Sequence, residues 1–258
     1  MNEKKLYGRP RSLYDVPTKY CGGCGHGVVH RILTELIDEM GLQEKTILVN
    51  PVGCSIWADL YFDVDTAQPP HGRTPAAATG IKRVLPDHLV ICYQGDGDMA
   101  AIGTAEMIHA ANRGEGFTTI FVNNAIYGMT GGQMAPTTLI GQASTTSPLG
   151  RDPVKAGMGY PIRVAEMLET LDGTVYIARG SVSTAAHVRK TRAYIRRALE
   201  LQMQGAGYTM VEILAPCPTG WGIEPIEAID WLEKNMLPVF PLGEVKKPAE
   251  ASSKKGAA

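Results

Sequence analysis

Apolar residues at positions 28, 29, 32, 33, 36, 37 and 40 fall on one face of a helix over 26–40, and Gly41 follows as a C-terminal stop. TILVNPVG (46–53) then reads as a short buried strand. TPAAATGIKRVL (74–85) is rich in small residues and reads as a helix packed closely on its neighbours. HLVICYQ (88–94) and TTIFVNN (118–124) are apolar, β-branched runs of strand length, separated by MAAIGTAEMIHAANR (99–113), which has the length and spacing of one crossover helix. Strand, helix and strand with short connections make a βαβ unit, so the two strands should be parallel. TVYIARG (174–180) and YTMVEILA (208–215) read as two further strands, joined by the helix STAAHVRKTRAYIRRALELQM (183–203), and EPIEAIDWLEKN (224–235) reads as a terminal helix. Repeated alternation of this kind predicts an α/β fold: an open, mainly parallel sheet with helices on both faces. Residues 1–20, polar and proline-bearing, read as an arm, 21–242 as the α/β domain, and 243–258 as a disordered tail ending in lysine and alanine.

Composition narrows the class. The chain has 258 residues, 44% hydrophobic and 20% charged, enough to bury a real core. A net charge of −1 gives no electrostatic case for nucleic acid or an anionic membrane. The basic stretch RKTRAYIRR (189–197) reads as a solvated helix face. No apolar run reaches the ~18 residues of a membrane span, and MNEKKLYGRPRS is not of signal-peptide type. A cytoplasmic protein is expected, its five cysteines reduced or bound to metal.

The chemistry gathers where strands end. In an open parallel sheet, ligands bind beyond the carboxyl ends of the strands. GDGD follows the strand 88–94, and the second asparagine of NN ends the strand 118–124, so Asp96 and Asn124 should face one crevice. A carboxylate, an amide oxygen and a backbone carbonyl near Ile126 would make a hard oxygen site suited to Mg²⁺, with room for phosphate oxygens. Gly95 and Gly97 let a diphosphate approach the backbone, and the helix opening near Met99 offers N–H groups to the same anion. TGGQ (130–133) supplies a second glycine-rich turn. Alone, GDG is a weak signal; joined to NN across a strand–helix–strand unit it is the pattern of thiamine diphosphate enzymes, which the chain resembles here. No G-x-G-x-x-G follows a strand, and no Walker A sequence is present. Asp98 is expected to cap the helix or to support the metal's surroundings. His71 and Arg73, in HGR, could meet cofactor or substrate, or form an ordinary polar turn.

A second cluster comes from cysteine. Cys21 and Cys24 lie in CGGCG, Cys54 in PVGCS and Cys217 in APCPTG. Four such thiols suit tetrahedral Zn²⁺ or a [4Fe–4S] cluster, and spacing alone does not separate the two. Cys92 falls inside a strand and reads as an inert buried thiol.

With both motifs in place, the chain resembles the β subunit of 2-oxoacid:ferredoxin oxidoreductases from Cys21 to about Leu242. The residues that carry the likeness are CGGCGHG, PVGCS, HGR, GDGDMAAIGTAE, NNAIYGMTGGQMAPTT and CPTGWG. The resemblance implies that Cys21, Cys24, Cys54 and Cys217 hold a [4Fe–4S] cluster. It implies that Asp96, Asn124 and the Ile126 carbonyl bind Mg²⁺. Gly95, Gly97, Asp98, Tyr127, Gly128 and Thr130 would then contact thiamine diphosphate, with His71 and Arg73 catalytic. The loops look most like those of branched-chain members acting on 3-methyl-2-oxobutanoate; members acting on 2-oxoglutarate or pyruvate have similar loops. The implied reaction is oxidative decarboxylation, with electrons passing through the cluster to ferredoxin and the acyl group to coenzyme A. Thiamine enzymes also need a glutamate beside the aminopyrimidine ring, from a second domain. The resemblance implies that a partner α subunit supplies it, with γ and ferredoxin-like δ subunits possible, while Glu106 on the crossover helix reads as a surface or packing residue. A non-oxidative thiamine decarboxylase subunit and a zinc-stabilised structural subunit are the competing readings.

Overall fold

The computed structural model describes residues 8–248. Helix α1 (His26–Glu39) leads into β1 (Thr46–Val49), β2 (Asp65–Ala67), α2 (Thr74–Val84) and β3 (Leu89–Gly95). Helix α3 (Thr104–Asn112), β4 (Thr118–Asn123), α4 (Val164–Glu169), β5 (Thr174–Ser181), α5 (Ala185–Met203) and β6 (Tyr208–Leu214) follow. Short helices α6 (Pro218–Trp221) and α7 (Pro225–Trp231) and strand β7 (Gly243–Lys246) close the chain. The seven strands form one sheet in the order β2-β1-β3-β4-β6-β5-β7, parallel throughout except for β7.

The strand period of two divides the core into two layers. Leu89, Ile91 and Tyr93 of β3 face α1 and α5, whose Val29, Leu33, Leu36, Ile195 and Leu199 are fully buried. Val90 and Cys92 face the opposite way, toward Ala78 of α2, Met107 and Ala110 of α3, and Leu168 of α4. Both sheet faces are covered, so the central strands read as continuous apolar runs. Cys92 is fully buried, as its place in the strand predicts.

Four local expectations need correction. The crossover helix is not continuous: a π-helical turn at Asp98–Ile102 precedes α3, and Gly103 marks the junction. A Cβ on Gly103 would lie 2.6 Å from the Gly72 carbonyl oxygen and 2.7 Å from that of Asp98, so the loop before α2 crosses there backbone to backbone. The first strand stops at Val49 rather than at residue 53, because Gly53 turns the chain at φ 105° into a 3-10 stretch, Cys54–Leu60. The tail expected from residue 243 begins instead with β7, which pairs with β5 and covers the sheet edge; residues 249–258 lie outside the described part. Asp98 makes no helix cap. Among the described residues no helix is long and apolar enough to cross a membrane.

Candidate cofactor site

Strand register brings the two polar strand ends together. Gly95 of β3 pairs with Val122 of β4, which leaves Asp96 and Asn124 side by side beyond the carboxyl edge. The turn after Asn124 is strained: Ala125 is fully buried at φ 57°, a left-handed conformation that a non-glycine residue adopts only where its surroundings enforce it. Here the Asn123 side chain accepts from the Ala125 N–H at 3.1 Å, while Thr138 and Gln142 donate to the Ala125 carbonyl at 2.7 and 3.1 Å. The indole of Trp221 donates to the Asn124 carbonyl at 2.8 Å.

Asp96 is 4% exposed. Its Oδ1 accepts from the Gly97 N–H at 2.9 Å, and its Oδ2 accepts from the Ile126 N–H at 3.1 Å and from Thr137 Oγ1 at 2.9 Å. Burial outweighs these donors and pushes its carboxyl up to about 7 in the metal-free chain. The side-chain oxygen of Asn124 sits 2.8 Å from the Ile126 carbonyl oxygen and 3.2 Å from Asp96 Oδ2. The Ile126 N–H also reaches this amide oxygen, at 3.4 Å, and is shared between it and Asp96 Oδ2, so three acceptors crowd around a single backbone donor. Turned over, the amide would donate to both oxygens; with oxygen inward, the set is one that a hard divalent cation stabilises. The expected residues fit the ion.

These atoms open on a cavity of about 250 Å³ lined by Gly95, Asp96, Gly97, Asp98, Asn124, Ile126, Tyr127, Gly128, Thr130 and His71. The structure therefore brings together every residue expected at the cofactor, and His71 with them. It does not bring Arg73, which ion-pairs with Glu106 on α3 and is absent from the cavity wall. Asp98 acts as a clamp. Its Oδ1 accepts from His71 Nδ1 and the Gly72 N–H, each at 2.6 Å, and its Oδ2 accepts from Gln94 at 2.6 Å. One buried carboxylate so ties the turn 71–73 to the end of β3.

The thiols form an adjoining site. Cys21 and Cys24 lie in the turn before α1, Cys54 opens the stretch after β1, and Cys217 sits between β6 and α6. All four are free and line one cavity of about 270 Å³. Burial, reinforced by the neighbouring thiols, pushes Cys24 and Cys217 up to about 12 and Cys54 to about 11. Such a cluster gains from a positive centre that takes the thiolates. Among the described residues no three His, Cys, Asp or Glu side chains are gathered closely enough for a single ion. The four thiols face one space, as the ligands of a zinc ion or of an iron–sulfur cluster would. The two cavities share His26, Cys54, Asn124, Gly128 and Met129 as a common wall. At Gly128 the wall is only backbone thick: a Cβ there would lie 3.2 Å from Cys217 Sγ and 3.7 Å from Cys54 Sγ.

Sequence reasoning missed Thr137, Gln94 and His26. Thr137 stands in the quoted run APTT, but it reaches Asp96 only through the fold. His26 is 3% exposed, and burial lowers its ring to about 4. Its only sequence signal is its place directly after CGGCG.

Residues 53–213 match the family described as thiamine pyrophosphate enzyme, C-terminal TPP binding domain. The chain is 47% identical over 249 residues to the ketoisovalerate oxidoreductase subunit VorA of Methanothermobacter thermautotrophicus, covering 93% of this chain and 52% of that protein. It thus spans about half the length of that relative. It is 37% identical over 220 residues to the 2-oxoglutarate synthase subunit KorB of Archaeoglobus fulgidus, covering 85% of this chain and 77% of that one. Among solved structures it is similar to a 2-oxoglutarate:ferredoxin oxidoreductase from Magnetococcus marinus with 2-oxoglutarate, coenzyme A and succinyl-CoA bound. The TM-score is 0.78 and the identity 25%, over 97% of this chain and 88% of that chain.

Proposed function

The chain belongs to the thiamine pyrophosphate enzyme family and, within it, to the subunits of 2-oxoacid oxidoreductases, and from that premise we propose that it holds the diphosphate end of the cofactor and an iron–sulfur cluster in an enzyme that oxidatively decarboxylates a branched-chain 2-oxo acid. The products are CO₂ and an acyl-coenzyme A, with ferredoxin as electron acceptor. The observation that carries this reading is the cavity in which Asp96, Asn124 and the Ile126 carbonyl converge, walled off by little more than Gly128 from a cavity lined by four free thiols.

When bound, thiamine diphosphate supplies an electron sink that lets a 2-oxo acid lose CO₂, and a [4Fe–4S] cluster takes up electrons singly. The chain's own residues do the positioning. Asp96, Asn124 and the Ile126 carbonyl hold Mg²⁺, and Gly95 and Gly97 leave the diphosphate room beside the backbone. Tyr127, Gly128 and Thr130 form the rim over that cradle. Asp98 holds His71 at the cavity edge, where its ring can meet the reacting groups; Arg73 reaches the site only if its pair with Glu106 opens. Cys21, Cys24, Cys54 and Cys217 ligate the cluster.

The branched-chain substrate is supported by the likeness to the ketoisovalerate subunit and by the cavity's chemistry. Val52, Ile102 and Met129 line it, and no lysine or arginine among the described residues does. A substrate with a second carboxylate would find no lysine or arginine side chain of the described residues in that wall to pair with it. An α subunit carrying the pyrimidine-side glutamate completes the site, as no glutamate among the described residues lines the cavity.

The test is anaerobic purification of the whole complex, metal and thiamine analysis, and assay against a panel of 2-oxo acids with ferredoxin and coenzyme A. Iron, bound thiamine diphosphate and a preference for 3-methyl-2-oxobutanoate are expected. Zinc without thiamine would overturn the enzyme reading, and full activity without iron would point to a non-oxidative decarboxylase. Preference for 2-oxoglutarate or pyruvate would remove the branched-chain assignment alone.

A further inference from the structure

The wall shared by the two cavities contains a polar ring to which the reading above gives no task. His26 opens α1, two positions after Cys24, and borders both cavities. Its Nδ1 lies 2.6 Å from the hydroxyl of Tyr93. Tyr93 is fully buried on β3, and its hydroxyl has no other hydrogen-bond partner among the described residues. The hydroxyl proton can therefore go only to Nδ1, since a buried donor is left unpaired only at a cost. With Nδ1 accepting, the ring proton belongs to Nε2, because a neutral imidazole has one donor and one acceptor. Nε2 itself has no partner among the described residues.

The ring is also held against rotation. It stacks on Tyr20 with centroids 4.9 Å and planes 5° apart. The Tyr20 hydroxyl donates to the carbonyl of Cys54, itself one of the four thiol residues, at 3.1 Å. The group is thus a nearly buried N–H, fixed in tautomer by one tyrosine and in plane by another, at the boundary between the cofactor and the thiols.

We propose that His26 Nε2–H donates a hydrogen bond to a sulfur of the cluster held by the four thiols, that Tyr93 is the positioning residue that keeps it a donor, and that the pair raises the cluster's reduction potential. The inference rests on the iron–sulfur reading of those thiols. Reduction adds negative charge to a sulfur-rich group in a largely dry cavity, so a fixed donor stabilises the reduced form more than the oxidised one. The cluster then accepts electrons from the neighbouring cofactor more readily.

The experiment compares the anaerobically purified complex with His26→Phe, His26→Gln and Tyr93→Phe variants. Iron content and a potentiometric titration followed by electron paramagnetic resonance are read for each. The native-minus-variant difference isolates this cluster from any others in the complex. With iron retained, His26→Phe should weaken the reduction equilibrium about tenfold, a shift of ~59 mV to more negative potential for one electron. His26→Gln, which keeps an N–H, should recover part of that shift. Tyr93→Phe should move the potential in the same direction by less, since both tautomers become available. Full iron with an unchanged midpoint in His26→Phe overturns the proposal. Should that variant fail to assemble, full iron with an unchanged midpoint in Tyr93→Phe overturns it. A native complex without iron removes the cluster reading itself, which is a different failure and is seen before any variant is made.

Discussion

At the scale of single residues, Asp96 carries the most testable electrostatics. Its carboxyl ordinarily ionises near 3.8, and burial pushes it up to about 7 in the metal-free chain. Between those values the folded chain keeps a proton that the unfolded chain has released, so stability must fall as pH rises through that window and level off above it. In the presence of a chelator, the thermal midpoint should therefore decline from about pH 5 to about pH 7.5 more steeply than in an Asp96→Asn variant, whose amide does not titrate. Mg²⁺ with thiamine diphosphate should restore more stability at the upper pH than at the lower, because the metal replaces the proton. Identical pH slopes in the two proteins would show that Asp96 is not the group responsible. The variant should also lose Mg²⁺-dependent thiamine diphosphate binding, measured by calorimetry. Asp96 and Asn124 were legible in the sequence because strand ends in a parallel sheet have a fixed destination. Thr137 was not, since its contact with Asp96 spans 41 positions and depends on how the loop after β4 folds back.

At the scale of elements, strongly periodic segments were readable and non-local pairings were not. The helices α1 and α5 and the strands β3, β4, β5 and β6 follow from spacing, because burial on one or both faces writes itself into the pattern. Strand β2 is three residues long, two of them polar, and β7 exists only through its pairing with β5. The break in the crossover helix was equally hidden, because it comes from the Gly72 loop packing against Gly103. Gly103→Ala would set a Cβ 2.6 Å from one carbonyl oxygen and 2.7 Å from another, both backbone. A loss of about 1–3 kcal/mol in chemical denaturation is expected, the range for overpacking, together with weaker cofactor binding as the His71 turn shifts. Wild-type stability would mean that the turn yields easily. Another element-level device is Arg179 on β5, fully buried, which donates to Glu212 on β6 at 2.7 Å, to Glu166 on α4 at 2.6 Å and to the Pro241 carbonyl at 3.1 Å. Arg179→Ala leaves the Glu212 side chain fully buried with Asn123 as its only remaining side-chain partner among the described residues, at a cost of about 3–5 kcal/mol. Since Asn123 also braces Ala125, cofactor affinity should drop alongside the melting temperature. A stable variant with native affinity would mean that the network is dispensable.

At the scale of the whole molecule, the polar contacts that the cavity offers suit one end of the proposed cofactor. In the proposed reading, Asp96, Asn124, the Ile126 carbonyl and the glycine turns address a metal-bound diphosphate, whereas no glutamate among the described residues lines the cavity to meet an aminopyrimidine ring. Glu106, the carboxylate that a sequence reader would try first, is committed to Arg73 on the far side of the turn. A chain that grips only phosphate and metal should discriminate poorly among ligands that share them. Alone, it should therefore bind Mg²⁺–thiamine diphosphate and Mg²⁺–pyrophosphate with affinities within about tenfold, ~1.4 kcal/mol, of one another. In the complex, contacts to the pyrimidine and thiazolium rings should widen that ratio well beyond tenfold, and turnover of a 2-oxo acid should occur only there. Competition calorimetry on the single chain and on the complex measures both ratios. A single chain that strongly prefers thiamine diphosphate over pyrophosphate, or that turns over a 2-oxo acid by itself, would mean that the ring end is also recognised within these residues. The partner's role would then shrink from completing the site to covering it.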